Sequence, residues 1–129
     1  MAAILIVEDD VSLRELLRFV LERAGHTVRA ASDGVEALSM VDALHPDLLI
    51  SDHEMPRVNG SELHELLCRG PAPIPPMILL TAYDNSQQVL DLTPKIAGTL
   101  YKPFQPGALL AAVEGALARH PRTLGTASA

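Results

Sequence analysis

Four short apolar runs each stop at a chemically reactive side chain. Ala3-Ile4-Leu5-Ile6-Val7 stops at Glu8-Asp9-Asp10, Leu48-Leu49-Ile50-Ser51 at Asp52, Met77-Ile78-Leu79-Leu80 at Thr81, and Leu100-Tyr101 at Lys102. Continuous apolar runs of this length read as strands covered on both faces, the usual state of a parallel sheet. Strand interiors shed charge, so acids gathered at a strand's carboxyl end mark a site, and ligands of open α/β sheets bind outside those ends. With the strands as parallel neighbours, two acids, a third acid, a hydroxyl and a lysine converge on one crevice. Such a crevice suits a divalent cation and a phosphoryl group.

Helical patterns fill the gaps between the strands. Ser12 with Glu15 three residues later reads as a capping box. Leu13, Leu16, Leu17, Val20, Leu21 and Ala24 follow at helical spacing, and Gly25 stops that helix. His26 to Ala31 reads as a second strand, and Ser32-Asp33-Gly34 turns into a helix that Pro46 ends. Asp47 to Ser51 is the third strand, followed by a loop to Gly60 and a helix over Ser61 to Arg69. The prolines of Gly70-Pro71-Ala72-Pro73-Ile74-Pro75-Pro76 make a stiff connector to a fourth strand, Met77 to Leu80. Asp84, Asn85 or Ser86 can cap a short helix to Leu92, where Pro94 disfavours continuation. Thr99 to Tyr101 is the fifth strand, and Pro106 opens the last helix. The pattern predicts an α/β fold of five β–α units, a doubly wound parallel sheet in the flavodoxin-like order 2-1-3-4-5 with a shortened fourth-helix region. One domain over residues 1–120 and a fraying tail over 121–129 are expected.

The bulk numbers narrow the function classes. The chain has 129 residues, enough for one core, and a formal net charge of −6 with only Lys95 and Lys102 as lysines. No basic stripe exists, which argues against nucleic acid or an anionic membrane surface as a direct partner. The single cysteine, Cys68, allows no internal disulfide and suits a reducing compartment. The first residues carry no signal-peptide pattern, and no stretch is long enough to span a bilayer. A cytoplasmic protein is expected. Cys68 falls on the apolar side of its helix and is expected in the core. His53 is expected to face away from the site and stand exposed. His26, His45, His64 and His120 lack metal-ligand spacing. Asp10 reads as a helix-start residue rather than a ligand.

Taken together, ILIVEDD, PDLLISDHEMPRVNG, ILLTAYD and YKPF resemble the receiver domain of two-component response regulators, over about Ala3 to Arg119. The resemblance implies a phosphoacceptor at Asp52, which takes a phosphoryl group from a phosphohistidine as an acyl phosphate. It implies Mg²⁺ held by Asp9 directly, by Glu8 often through water, by Asp52 and by the backbone carbonyl of Glu54. Lys102 matches the lysine that pairs with a phosphoryl oxygen, Thr81 matches the switch hydroxyl, and Lys102-Pro103 matches the family's cis peptide bond. The implied partners are a histidine kinase or histidine phosphotransfer protein upstream and an unidentified protein downstream, with the chain a monomer or weak homodimer.

Two features depart from the family pattern. Receivers usually carry an aromatic three residues before the lysine, where this chain has Thr99. Tyr101, directly before Lys102, is not counted as its equivalent on strand alternation. The stretch from Thr81 to Lys102 is compressed, so the face formed by the fourth helix, fifth strand and fifth helix is expected to be rearranged. Glu54 and Tyr83 are expected to obstruct in-line water and slow self-dephosphorylation. With no effector region after Arg119 in this sequence, output is expected through protein contact or onward transfer of the phosphoryl group. A receiver cut from a larger protein is also compatible with this sequence.

The leading expectation is thus a phosphorylatable signalling domain that is not a turnover enzyme. A non-phosphorylated adaptor with the same fold is the alternative. An aspartate-nucleophile phosphatase would need a substrate cap that 129 residues barely allow.

Overall fold

Five parallel strands form one sheet in the order β2-β1-β3-β4-β5. They are β1 (Ala3–Val7), β2 (Thr27–Ala31), β3 (Leu48–Asp52), β4 (Met77–Thr81) and β5 (Gly98–Tyr101). Five helices alternate with them: α1 (Val11–Arg23), α2 (Gly34–Leu44), α3 (Gly60–Arg69), α4 (Gln87–Leu92) and α5 (Pro106–Arg119). The structure is a computed structural model and describes residues 1–71, 73–82 and 86–119. The tail expected over 121–129, and Asp84 and Asn85 as helix caps, lie outside the described residues.

The continuous apolar strands divide their side chains by period two between two cores. Ile4, Ile6, Leu48, Ile50, Ile78 and Leu80 meet Leu17 and Leu21 of α1 and Leu109 and Val113 of α5 on one face. Leu5, Val7, Leu49 and Met77 meet Ala37 and Val41 of α2 and Leu63 and Leu67 of α3 on the other. Each large aliphatic side chain buried in this way contributes roughly 1.5–3 kcal/mol. Leu79 pairs instead with Val89 and Leu92 of the short α4. A single 3-10 turn, Thr93–Lys95, follows α4, because Pro94 cannot supply the amide that another helical turn needs.

Several local expectations are corrected. Helix α1 begins one residue after Asp10, whose carboxylate accepts from the Ser12 and Leu13 amides. The Ser12–Glu15 capping box is therefore replaced by a simpler aspartate cap, and Asp10 is the helix-start residue the sequence suggested. Gly25 takes a φ of +100°, a left-handed conformation that suits glycine at the helix exit. The end of α2 is set by His45 in the left-handed region at φ 48°, before Pro46 is reached. Helix α3 starts at Gly60 through a capping box between Asn59 and Glu62. Cys68 is exposed on α3 rather than in the core, since Leu63, His64 and Leu67 form the inward stripe. His53 is 7% exposed, not solvated. It follows β3 directly, its amide donates to Leu80 O at 2.7 Å and its carbonyl accepts from the Gly60 amide at 3.2 Å, so the chain is still held between β4 and the start of α3 at that point.

Candidate functional site

Register stacks the reactive residues along one edge of the sheet. Val7 pairs with Ser51, so Glu8 comes level with Asp52 on the neighbouring strand. Asp52 pairs with Leu80, which puts Thr81 one step further along β4. Thr81 pairs with Tyr101, and the Lys102 amide donates to Thr81 O at 2.9 Å. Four separated segments thereby meet without any loop having to fold back.

The acids lie close together. One carboxylate oxygen each from Glu8, Asp9 and Asp52 falls within 4.8 Å of the others. Glu8 and Asp52 are buried, at 1% and 2% exposure, while Asp9 is open to solvent. Glu8 Oε2 accepts from the Asp10 amide at 3.1 Å, and Glu8 Oε1 is buried with no hydrogen-bond partner. Arg14 donates to the Glu8 carbonyl at 2.8 Å, which ties α1 to the end of β1. Burial, reinforced by the Asp52 charge, pushes the Glu8 carboxyl up to about 8. A buried carboxylate oxygen without a donor, beside two further acids, is the donor set that a hard divalent cation satisfies.

Lys102 supplies the counter-charge. Its Nζ donates to Asp52 Oδ1 at 2.9 Å, and the Glu54 amide approaches the same oxygen at 3.3 Å. Burial draws the Lys102 ammonium down, but the Asp52 hydrogen bond and the charges of Asp52, Glu8 and Glu54 outweigh it and leave it raised. The lysine therefore stays charged. The Lys102-Pro103 bond is cis, as the resemblance implied.

Thr81 is fully buried, and its hydroxyl donates to Glu54 Oε2 at 2.5 Å. The neighbouring Ala82 amide donates to Glu54 Oε1 at 3.0 Å. Sequence reasoning gave Glu54 a backbone ligand role and a water-blocking role but missed this bidentate contact. The only available signal was an acid two residues beyond the strand-end aspartate, and spacing alone does not say which way that side chain turns. Tyr83, expected to act with Glu54 against in-line water, lies outside the described residues.

A family profile described as "Response regulator receiver domain" matches residues 4–114. The chain belongs to the response regulator receiver domains. The receiver is 42% identical over 117 residues to the response regulator MprA of Mycobacterium tuberculosis H37Rv, covering 90% of this chain and 50% of that protein. It is 36% identical over 117 residues to the DNA-binding response regulator MtrA of Mycobacterium leprae, covering 91% of this chain and 52% of that protein. The receiver thus spans about half the length of these curated relatives. Its fold superposes on the chemotaxis response regulator CheY4 of Vibrio cholerae with a TM-score of 0.81 and 32% identity, covering 91% of this chain and 99% of that one.

Thr99, the departure from the family pattern on β5, pairs with Leu79 on the sheet and buries an Oγ1 with no partner. Tyr101 pairs with Thr81 and is 46% exposed. Residues 99 and 101 share a face by strand alternation, so alternation is not a ground for setting Tyr101 aside, and that expectation is corrected. What separates it from Thr99 is its place two residues nearer the site. Among the described residues, no helix is long and apolar enough to cross a membrane.

Proposed function

We propose that this receiver takes a phosphoryl group from a phosphohistidine onto Asp52. The observation that carries the reading is Lys102 Nζ at 2.9 Å from Asp52 Oδ1, with Glu8 and Asp9 carboxylates gathered on the same residue. An Asp52 oxygen attacks phosphorus, the phosphorus–nitrogen bond of the donor breaks, and the imidazole leaves with that electron pair. Glu8, Asp9, Asp52 and the backbone carbonyl of Glu54 would hold Mg²⁺. When bound, the ion neutralises charge on the transferring group and offsets repulsion among the acids. Lys102 holds a phosphoryl oxygen as a point charge. The Thr81 hydroxyl donates to the group once it has arrived. Water later cleaves the acyl phosphate, returning Asp52 and inorganic phosphate, and the Glu54 side chain slows that step by crowding the in-line approach.

On this reading the upstream partner is a histidine kinase or histidine phosphotransfer protein. The downstream partner is a protein that distinguishes the two states or receives the phosphoryl group. The chain acts in the cytoplasm as a monomer or weak homodimer, as a signalling domain rather than a turnover enzyme. It touches neither membrane nor nucleic acid itself. The DNA binding in the name of MtrA belongs to that protein, of which this chain covers about half.

The test is intact-protein mass after incubation with acetyl phosphate, with and without Mg²⁺, on wild type and Asp52→Ala. One Mg²⁺-dependent phosphoryl adduct, absent from the variant, is expected. A folded wild type that takes no adduct from acetyl phosphate or from a phosphohistidine protein overturns the proposal. That outcome would favour a constitutive adaptor, to which the small Thr99 lends some support.

A further inference from the structure

The donors that a phosphoryl group would need on the β4 side of Asp52 already hold a carboxylate. Thr81 Oγ1 and the Ala82 amide stand on consecutive residues at the end of β4, and both donate to Glu54, at 2.5 and 3.0 Å. The carboxylate is held through both of its oxygens, the strong form of such a contact. Its own backbone amide points to Asp52 Oδ1 at 3.3 Å. The contact is therefore anchored on the acceptor at one end and spread across the β4 donors at the other. We propose that the Glu54 carboxylate is a built-in occupant of the phosphoryl-oxygen subsite, which must swing out before Asp52 can carry a phosphoryl group. The inference rests on Asp52 being the acceptor.

Charge and space both argue for displacement over coexistence. Glu54 adds a fourth acid to Glu8, Asp9 and Asp52, while Lys102 is the ammonium bonded to Asp52. A phosphoryl dianion seated on the same two donors would meet the Glu54 carboxylate at contact distance, a repulsion that the ammonium on Asp52 does not relieve. The Thr81 hydroxyl also has one proton to donate and cannot serve both anions. Room for the displaced side chain exists next to it. A cleft of about 400 Å³ is lined by His53, Glu54, Met55, Asn59, Ser86 and Gln88. On its wall the Gln88 side-chain amide and the Ser86 hydroxyl can donate to a carboxylate that the β4 donors release. Glu54 thereby sets a threshold. A small donor must displace it unaided, whereas a protein donor can draw it outward as it docks.

Two variants test this. Glu54→Ala removes the competing anion and leaves the backbone carbonyl of residue 54 in place. Glu54→Gln keeps the size but loses the charge and one of the two acceptor oxygens. Initial rates of adduct formation from acetyl phosphate should rise about tenfold in Glu54→Ala, with Glu54→Gln in between, the scale set by one charge-assisted hydrogen bond. The half-saturating concentration of beryllofluoride, a phosphoryl mimic, should fall by a similar factor. In the unphosphorylated state, the Ala82 amide resonance should move in Glu54→Ala, since its acceptor is gone. Wild type and Glu54→Ala that form the adduct at equal rates and bind beryllofluoride equally overturn this inference alone. Absence of an adduct in every chain overturns the acceptor reading and this inference with it.

Discussion

Lys102 Nζ lies 2.9 Å from Asp52 Oδ1, although fifty residues separate the two in sequence. The Asp52 side chain is 3% exposed and that of Lys102 25%, so the pair sits at a nearly dry end of a wet cleft. Substituting Lys102 by Met should leave Asp52 buried among acids without its ammonium. Stability at neutral pH should fall by about 1–3 kcal/mol, and Asp52→Asn in the same chain should restore most of it. Adduct formation from acetyl phosphate should drop by about 10²–10³, as when one preorganised electrostatic donor is removed. Urea melts and mass spectrometry on wild type and the two variants read both effects. Equal stability of the single and double variants would show that the pair is not coupled.

Glu8 makes the metal-free chain pH-sensitive in an unusual direction. Its carboxyl titrates near 8 when folded, against an ordinary value of 4.5. Between those values the folded chain holds a proton that the unfolded chain has released. This contribution to stability therefore falls as pH rises through the window. Wild type minus Glu8→Gln stability, from urea melts without metal between pH 5 and 9, should slope downward with pH. Mg²⁺ must displace the same proton, so its thermal shift should be larger at pH 8.5 than at pH 6. A shift that shrinks with rising pH would count against Glu8 as a ligand.

His64 and His26 act in the opposite sense. Burial, with Lys95 as a second cause, holds His64 below its ordinary value of 6.5. Burial and the amino terminus do the same for His26, against a weaker pull from Glu114. Both folded values are depressed, so below 6.5 the unfolded chain binds protons that the folded chain resists, and stability falls with acidification. His26 also accepts the Ala2 amide through Nδ1 at 3.1 Å, a bond that protonation removes. In His64→Gln the loss of stability between pH 7 and 5 should be visibly smaller than in wild type. Parallel curves would remove His64 from the account.

Gly60 is required by space rather than by backbone angle. A Cβ there would lie 2.5 Å from Leu79 Cδ1 and 3.1 Å from Asp52 O and His53 Cα. Leu79 is fully buried, so its δ-methyl would have to shift within the core, and the Asp52 and His53 backbone atoms sit close behind it. Gly60→Ala should cost about 1–3 kcal/mol, the range for overpacking a filled core, and should slow adduct formation by shifting the end of β3. Gly107, near the start of α5, has open space where a Cβ would stand, and Gly107→Ala should gain about 0.5–1 kcal/mol. Urea midpoints of the two variants should therefore move in opposite directions.

The sequence alone determined the layered architecture, because its signals are local. Apolar runs such as Leu48 to Ile50 and Met77 to Leu80 have no solvated face, and a strand of that kind demands helices on both sides. The same local logic marked Glu8, Asp9, Asp52, Thr81 and Lys102, since each interrupts an apolar run where a parallel sheet opens its ligand edge. Which way the side chains beyond the strand ends turn was decided only in three dimensions. Glu54 reads as one more loop acid until β4 brings the Thr81 hydroxyl and Ala82 amide to it. His53 reads as exposed until the fold buries it, with its amide on Leu80 O of β4 and its carbonyl on the Gly60 amide that starts α3. Cys68 reads as core until the inward stripe of α3 is fixed by Leu63 and Leu67. Periodicity specifies a face, but the rotation of a helix on its sheet and the rotamer of a loop acid depend on partners distant in the chain. Only the assembled fold supplies those partners.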